Sequence, residues 1–276
     1  MNAPFRFDQI GRWSEIKLEI VENYGRAYTG AFRNQPRLKK YYIDGFSGAG
    51  VHLSKTTGEP VDGSPTRALR ISPPFDGFYF VDMDADKTAY LDKLCEGRSD
   101  VYCHTGDTSE YLTKVLLPEI QYKNYNRALC LLDPYGLHLD WEVILAAGRS
   151  NAVDMFLNFP VMDMNRNAIW RHPELAPQDG VERMTRFWGD ETWRDKAYSE
   201  NPQGDMFERV NVVKQHNAAI VTPFRDRLKT VAGFSFVPEP VPMRNSRNAV
   251  IYYLFFASQK PVAEKILLDV LRKYGT

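Results

Sequence analysis

Five strand-like runs separated by helical patterns constrain the fold of this 276-residue chain more than any other feature. The strand-like runs are KYYID (40–44), GFYFVD (77–82), DVYCH (100–104), ALCLLD (128–133) and AVDMFLNF (152–159). Helical patterns lie between them at 64–71, 84–97, 108–120 and 139–148, and an amphipathic helix is predicted ahead of them at 13–32. Strands that are apolar on both faces and connected by helices predict a parallel, doubly wound sheet.

The C-terminal part of the chain changes pattern. Two further strand-like runs, 234–243 and 249–258, are separated only by the polar residues RNSRN. They predict an antiparallel hairpin, because a parallel crossover needs a dozen or more residues. Together with the first five runs they give a mostly parallel, Rossmann-like sheet of seven strands.

Two long segments flank this hairpin and complete the predicted domain. A helical pattern at 205–231 precedes it, and a last helix is predicted from Pro261. Residues 160–204 are rich in Trp, Arg, Pro and Asp and fit neither period, so we interpret them as an insertion after the fifth strand. We expect one domain spanning 1–276, with 160–204 as an insertion within it.

Composition and motif searches exclude several classes of protein. The 35 basic and 35 acidic side chains cancel, so a nucleic-acid ligand would need a local basic patch. The sequence has no HExxH, no paired-Cys zinc pattern and no GxxxxGK[ST] loop, so neither a metal site nor an ATPase is supported. Cys95, Cys103 and Cys130 lack CxxC spacing, and we interpret them as reduced core residues. Without a signal peptide or a membrane-spanning run, the chain is predicted to be cytoplasmic.

Aspartates recur where the predicted strands end. They are Asp44, Asp82, Asp107 and Asp133. Singly, each is explained by a helix cap or a turn. Ligands of doubly wound sheets bind outside the carboxyl ends of the strands, so four such aspartates in succession favour a ligand site at that edge.

The glycine-rich stretch DGFSGAG (44–50) narrows the ligand. A GxGxxG turn that opens directly into a helix binds a dinucleotide pyrophosphate, whereas here the next helical pattern begins only at Ser64. This spacing argues against a dinucleotide dehydrogenase. It suits a ligand without phosphate that lies across the bare loop while Asp82 accepts hydrogen bonds from its ribose hydroxyls. S-adenosylmethionine (SAM) fits that description.

The sequence strings at the ends of the predicted strands resemble those of a known family. YIDGFSGAG, FVDMD, HTGDT and LLDPYG resemble, in order and spacing, the signatures of the class I SAM-dependent methyltransferases, and the late hairpin resembles the reversed seventh strand of that fold. More narrowly, YYIDGFSGAG with the following GSP, LLDPYG, FLNFPV and YYLFFASQKP resemble the three-Cys-motif partner protein (TcmP) family over nearly the whole chain. That resemblance implies a radical-SAM-like partner protein, to which the three cysteines of the name belong.

The resemblance also implies roles for residues of the cofactor site. The residues implied to face the methionine end of SAM are Asp44, Gly45, Phe46, Ser47, Gly48 and Gly50. Asp82 would bind the ribose, Met83 would pack on the adenine, and Asp107 would bind the adenine amino group. For Met83, ordinary core packing is an equal alternative.

The tetrapeptide DPYG resembles the (D/N)PP(Y/F) string of enzymes that methylate amino groups of nucleic acids. The resemblance implies that Asp133 and the Pro134 carbonyl accept hydrogen bonds from the target amine, while Tyr135 stacks on the base. Such contacts would catalyse mainly by positioning. The second proline is missing here, and a turn without a catalytic role is the alternative.

The sequence therefore predicts a SAM-dependent methyltransferase acting on an amino group of a nucleic acid, RNA or DNA, or of a nucleotide. The alternatives are a noncatalytic partner subunit of the radical-SAM-like protein and, third, methylation of a small molecule. In the insertion, five arginines and three tryptophans are interpreted either as a surface for unpaired bases or as a satellite core. They are Arg166, Arg171, Arg183, Arg186, Arg194, Trp170, Trp188 and Trp193.

Overall fold

A seven-stranded sheet forms the centre of the computed structural model, which describes residues 6–200 and 212–274. The strands are β1 (Lys39–Asp44), β2 (Gly77–Asp82), β3 (Val101–Thr105), β4 (Asn126–Leu132), β5 (Val153–Phe159), β6 (Val241–Arg244) and β7 (Val250–Ala257). Their spatial order is β3-β2-β1-β4-β5-β7-β6. The first five are parallel, and β7 runs antiparallel to β5 and β6. The predicted doubly wound sheet with its C-terminal antiparallel hairpin is confirmed.

Helices cover both faces of this sheet. The helices are α1 (Arg12–Ala31), α2 (Ser64–Leu69), α3 (Ala85–Leu94), α4 (Thr108–Tyr111), α5 (Leu117–Glu119), α6 (Trp141–Ser150), α7 (Val161–Asn167), α8 (Gln178–Trp188), α9 (Trp193–Ala197), α10 (Ala218–Thr230) and α11 (Pro261–Leu271). A π-helical turn, Leu112–Leu116, joins α4 to α5. One core lies under α1, α2, α3 and α11, and the other lies under α6, α7, α8 and α10.

Strand β4 shows why its sequence is apolar throughout. Ala128, Cys130 and Leu132 pack into one core, whereas Leu129 and Leu131 pack into the other. Successive side chains of a strand point to opposite faces, so a strand buried on both sides needs an unbroken apolar run.

Two small sheets were not anticipated. Gln9–Ile10 pairs in parallel with Val51–Ser54, which pairs antiparallel with Pro60–Asp62. Tyr198–Glu200 pairs with Val212–Lys214, so the helix predicted at 205–231 is wrong over that strand and begins only at Ala218. Residues 205–211 of that helix, and 201–204 of the proposed insertion, lie outside the described residues.

Two tryptophans of the described part of the insertion lie in the core of the domain. Trp188 and Trp193 are 1% and 0% exposed, and the Trp193 indole Nε1 donates to Thr185 Oγ1 at 3.0 Å. Arg183 pairs with Asp179. Neither buried tryptophan offers a ring to an unpaired base, and both belong to the core under α6, α7, α8 and α10 and not to a separate satellite core.

The structure also bears on membrane-spanning helices, metal sites and the three cysteines. Among residues 6–200 and 212–274, no helix is both long enough and apolar enough to cross a bilayer. The same residues contain no group of three or more His, Cys, Asp or Glu side chains that could hold a metal ion. Cys95, Cys103 and Cys130 are free thiols, and burial raises the pKa of Cys103 to about 12.

Candidate functional site

The glycine loop after β1 adopts backbone angles that only glycine reaches without strain. Gly48 has φ +61° and Gly50 has φ +77°, both in the left-handed region. A Cβ at Gly45 would lie 2.8 Å from Thr108 Cγ2 and 2.9 Å from Leu132 Cδ2. The loop is therefore held tightly over the carboxyl edge of the sheet, with its backbone bare.

Gly63, just before α2, packs against Gly50 of the glycine loop. The Gly63 amide donates to the Gly50 carbonyl at 2.8 Å, and Thr66 Oγ1 donates to the same oxygen at 2.7 Å. A Cβ at Gly63 would lie 2.9 Å from that carbonyl group. The GSP string of the sequence thus has a structural reason, because only glycine lets the start of α2 approach the loop so closely.

Asp82, at the end of β2, orders the loop from the other side. Its Oδ2 accepts from the Gly48 amide at 2.8 Å, and its Oδ1 accepts from the Asp84 amide at 2.9 Å. Each carboxylate oxygen has a second lone pair, so these bonds leave acceptor capacity for a ligand. The adjacent Met83 is 72% exposed, and its alternative interpretation as a core residue is wrong.

Asp107 has a helix-capping role. Its Oδ1 accepts from the Glu110 amide at 2.8 Å, which caps α4. The residue is exposed, and the preceding Gly106 amide donates to the Asp82 carbonyl at 3.0 Å. The ends of β2 and β3 therefore lie side by side, which places Asp82 and Asp107 at the same edge.

Asp44, at the end of β1, is a buried carboxyl group at this edge with a raised pKa. It is fully buried, and burial raises its pKa to about 7. The neighbouring Ser64 hydroxyl and the Phe46 amide, which donates to Oδ1 at 3.2 Å, partly offset this rise in pKa. The Ser64 hydroxyl does not reach Oδ2 with hydrogen-bond geometry, so that oxygen has no such partner among the described residues. Leaving a buried acceptor unpaired is costly, so this oxygen suits a donor supplied by a ligand.

Asp133, directly after β4, is held by two side chains that sequence analysis missed. Lys17 of α1 donates its Nζ to Asp133 Oδ2, and Asn158 of β5 donates its Nδ2 to Asp133 Oδ1 at 2.7 Å. The Lys17 side chain is only 4% exposed. Asn158 lies in the quoted string FLNFPV, which was its only signal. For Lys17 the available signal was its spacing, because it lies three and four residues before Ile20 and Val21 on the apolar face of the helix.

The bond to Asp133 fixes the orientation of the Asn158 amide. An ionised carboxylate can only accept, so the amide nitrogen must face it and the amide oxygen must face away. That oxygen, Oδ1, is buried and has no hydrogen-bond partner among the described residues. Asn158 therefore presents an open acceptor beside Asp133.

Unpartnered polar atoms concentrate at this edge. Within residues 6–200 and 212–274, five buried side-chain atoms lack a partner: Asp44 Oδ2, Ser47 Oγ, His52 Nδ1, Asn158 Oδ1 and Arg227 Nε. All but the last belong to the glycine loop, the adjoining strand Val51–Ser54 or the end of β5. Burial lowers the pKa of His52, so its ring is neutral near pH 7. Folded proteins leave few such groups unsatisfied, and a cluster of four fits a ligand with several polar groups.

The turn after Asp133 directs an aromatic ring outwards. Tyr135 is 88% exposed, while Pro134 is buried. Gly136 has φ +61°, and a Cβ there would lie 2.5 Å from Asp163 Oδ2. The tight turn thus leaves the Tyr135 ring free to stack on a flat ligand.

Strand order and strand direction identify the class to which this architecture belongs. The order β3-β2-β1-β4-β5-β7-β6, with only β7 reversed, is that of the class I methyltransferase fold, and this chain has that fold. The glycine loop and the aspartates lie at its carboxyl edge, where that fold places its ligand.

Comparisons with known proteins give matches at the level of structure alone. No family model matches the chain, and no curated protein matches it. It is similar to a Legionella pneumophila protein of the DUF519 family, with 13% identity, 93% of this chain and 92% of that chain covered, and a TM-score of 0.47. It is also similar to the DszA carbon methyltransferase (12% identity, 89% and 54% covered, TM-score 0.45) and to a Leishmania major SAM-dependent methyltransferase (8%, 89% and 82%, TM-score 0.39).

Proposed function

We propose that this protein is a SAM-dependent methyltransferase of the TcmP family that methylates an amino group on a nucleic acid or nucleotide. The observation that carries the proposal is the set of unpartnered polar atoms at the carboxyl edge of the sheet, three of them at the glycine loop and its adjoining strand (Asp44 Oδ2, Ser47 Oγ and His52 Nδ1) and one beside Asp133 (Asn158 Oδ1). A cofactor with an ammonium group, ribose hydroxyls and an adenine would satisfy donors and acceptors of this kind. The residues present fit such a group.

Each end of the cofactor has a matching set of residues. Asp44 Oδ2 would accept from the ammonium of the methionine part, which lies across the backbone of Gly45–Gly50. Asp82 would accept from the ribose, Met83 would pack on the adenine, and Asp107 would accept from its amino group. When bound, SAM supplies a methyl group made electrophilic by its sulfonium.

The acceptor end is built on Asp133 and Asn158. Both oxygens of Asp133 already accept one hydrogen bond, from Lys17 and from Asn158. We therefore assign Asn158 Oδ1, together with Asp133 and the Pro134 carbonyl, to accept the N–H groups of the target amine. Holding both N–H groups turns the nitrogen lone pair toward the methyl group, so the contribution is positioning. The exposed Tyr135 ring stacks on the base.

One observation favours a second candidate function. Lys17 occupies Asp133 Oδ2 from within the chain, as a pocket no longer used for substrate would allow. In this alternative the protein is a noncatalytic subunit that binds a radical-SAM-like three-Cys-motif protein.

Calorimetry with SAM and with its demethylated product separates the two functions. A methyltransferase binds both, whereas a subunit with a dead pocket binds neither. Asp82→Ala is expected to weaken SAM binding by about 1.5–3 kcal/mol, because it removes charge-assisted hydrogen bonds. Methyl-labelled SAM is then incubated with RNA, DNA and nucleotide pools from cells lacking the protein. SAM binding without labelling of any pool, even with the three-Cys-motif partner added, would refute the nucleic-acid methyltransferase.

A further inference from the structure

A cleft opens at the opposite edge of the sheet, where the parallel strands begin. Two adjoining cavities of about 230 and 540 Å³ form it and share Gln35, Leu38, Tyr122 and Arg127. Arg127 is the second residue of β4, and Asp133 follows the last residue of the same strand. The cleft and the candidate cofactor site are therefore separated by the length of β4, roughly 20 Å at about 3.3 Å per residue.

The cleft is positively charged although the chain as a whole is neutral. Its cationic lining residues are Arg37, Lys123, Arg127 and Lys260. Within the described residues, none of the four forms an ion pair with a carboxylate. Among the described residues, the one acid that lines it is Asp154, whose oxygens accept from Tyr24 at 2.6 Å and Ser258 at 2.5 Å and whose pKa burial raises and the charges of Arg127 and Lys260 partly lower. Four cations therefore face one acid in this cleft. The cleft supplies the local basic patch that a neutral chain needs to hold a polyanion.

Two tyrosines stand at the mouth of the cleft. The Tyr122 ring lies 3.8 Å from the Arg127 guanidinium and 4.6 Å from Lys260 Nζ. Tyr125 is 57% exposed and has φ +58°, a left-handed conformation that is rare for a bulky residue. Backbone strain of this kind concentrates at functional sites, and here it accompanies an outward-facing aromatic ring.

We infer that this basic cleft (Arg37, Tyr122, Lys123, Tyr125, Arg127 and Lys260) binds a single-stranded segment of nucleic acid. The cations contact phosphates and Tyr125 stacks on a base, which is how proteins hold single strands. Because the cleft and Asp133 lie roughly 20 Å apart, one mononucleotide cannot reach both. The inference rests on the proposed function, which gives the substrate class. It adds that the substrate is a polymer, which the cleft binds at a point roughly 20 Å from the target base.

The test measures binding without methyl transfer. Fluorescence anisotropy follows a fluorescein-labelled 15-nucleotide single-stranded RNA, the matching duplex and a labelled mononucleotide at two salt concentrations. We expect the single strand to bind best and to weaken as salt rises. The double variant Arg37→Glu/Lys123→Glu should lose at least tenfold in affinity, and Tyr125→Ala about 5- to 160-fold, the loss of one stacked base.

The matched control places the same charge change elsewhere. Lys93 and Lys273 are exposed and lie outside the cleft, so Lys93→Glu/Lys273→Glu should keep nearly full RNA affinity. An equal loss in this control, or wild-type protein that binds the single strand no better than the mononucleotide, overturns the inference. The inference is also overturned if the cleft variants bind RNA as tightly as wild type does. In that case, capture of an acidic protein by wild type but not by the cleft variant would assign the cleft to that protein partner.

SAM affinity of the same variants distinguishes a failure of the basic cleft from a failure of the proposed function. Intact SAM binding together with absent RNA binding refutes the basic cleft alone. Intact RNA binding together with absent SAM binding refutes the proposed function alone.

Discussion

Lys17 and Asp133 form an ion pair between side chains 116 residues apart in sequence, and the lysine side chain is only 4% exposed. The pair ties the opening helix to the turn after β4, at the edge where the glycine loop also lies. Because Asp133 also accepts from Asn158, one carboxylate connects α1, β4 and β5. The geometry of the candidate acceptor site therefore depends on this single group.

Breaking this pair should cost stability. Lys17→Met leaves the Asp133 carboxylate without its cation, and removing one member of a buried pair typically costs about 3–5 kcal/mol. Because Asp133 is 31% exposed, we expect about 2–3 kcal/mol, measured by urea unfolding. The control is Lys87→Met, which breaks the more exposed pair with Asp8 and should cost about 1 kcal/mol or less. Equal costs for the two variants would contradict a structural role for Lys17.

Removing the open acceptor should affect chemistry and spare cofactor binding. Asn158→Ala and Asp133→Ala should each keep SAM affinity, because the ends of the first three strands hold the cofactor. Methyl transfer should fall roughly 100-fold or more in each, since the target amine loses its orientation. Single-turnover transfer from labelled SAM measures this effect. A large loss of SAM affinity in Asn158→Ala would show that its oxygen faces the cofactor instead.

A side chain at Gly48 should block the cofactor. Gly48→Val places a branched side chain at φ +61° on the loop surface where SAM would pass, and SAM affinity should fall at least tenfold by calorimetry. Gly97→Val is the matched control, because Gly97 has φ +85° and open space around an added Cβ but lies in the turn after α3. Both variants should lose similar stability, about 1–2 kcal/mol from the left-handed backbone. Normal SAM binding by folded Gly48→Val would disprove the loop assignment.

Asp44 should make stability depend on pH. Its folded pKa of about 7 lies above the ordinary 3.8, so the folded protein keeps a proton that the unfolded chain releases. The Asp44 contribution to the free energy of unfolding therefore falls as pH rises from about 4 to about 7, by roughly 3–5 kcal/mol, and is level above that. Asp44→Asn removes this dependence, so its stability relative to wild type should be greater at pH 8 than at pH 5.

Proton release on SAM binding tests the same carboxyl group. If the SAM ammonium pairs with ionised Asp44, binding at pH 6 should release a proton, detected by calorimetry in buffers of different ionisation enthalpy. Asp44→Asn should abolish the release. Asp154→Asn should retain it, although burial also raises the pKa of Asp154, to about 6, because Asp154 lies in the basic cleft. Unchanged release in Asp44→Asn would remove Asp44 from the cofactor site.

Tyr135 should matter for substrate but not for folding. Because its side chain is 88% exposed, Tyr135→Ala should change the free energy of unfolding by less than about 0.5 kcal/mol. The kcat/KM for a nucleic-acid substrate should fall, because losing one stacked base removes about 1–3 kcal/mol of transition-state stabilisation. A small aliphatic amine would be affected much less, so the two substrate types distinguish a stacking ring from an inert turn residue.

The sequence by itself determined the positions along the chain of the seven strands of the central sheet, the reversed hairpin and the bare glycine loop, but not the two small sheets. These features depend on local periodicity, on unbroken apolar runs such as β4 and on glycines with left-handed backbone angles at 48 and 50. The aspartates after the strands could also be located, because parallel strands bring their carboxyl ends to one edge. Their roles in SAM binding and catalysis remain predictions.

Only the tertiary structure decided what surrounds those aspartates. Helical spacing places Lys17 on the buried stripe of α1 with Ile20, Val21 and Tyr24, but its partner Asp133 lies in a turn more than a hundred residues away, which only the fold brings near. The open Asn158 oxygen follows from its neighbour in the sheet, and the basic cleft gathers Arg37, Lys123 and Lys260 from three separate segments. Long-range contacts of this kind leave no periodic trace in the sequence, because each residue is placed by a partner that only folding brings near.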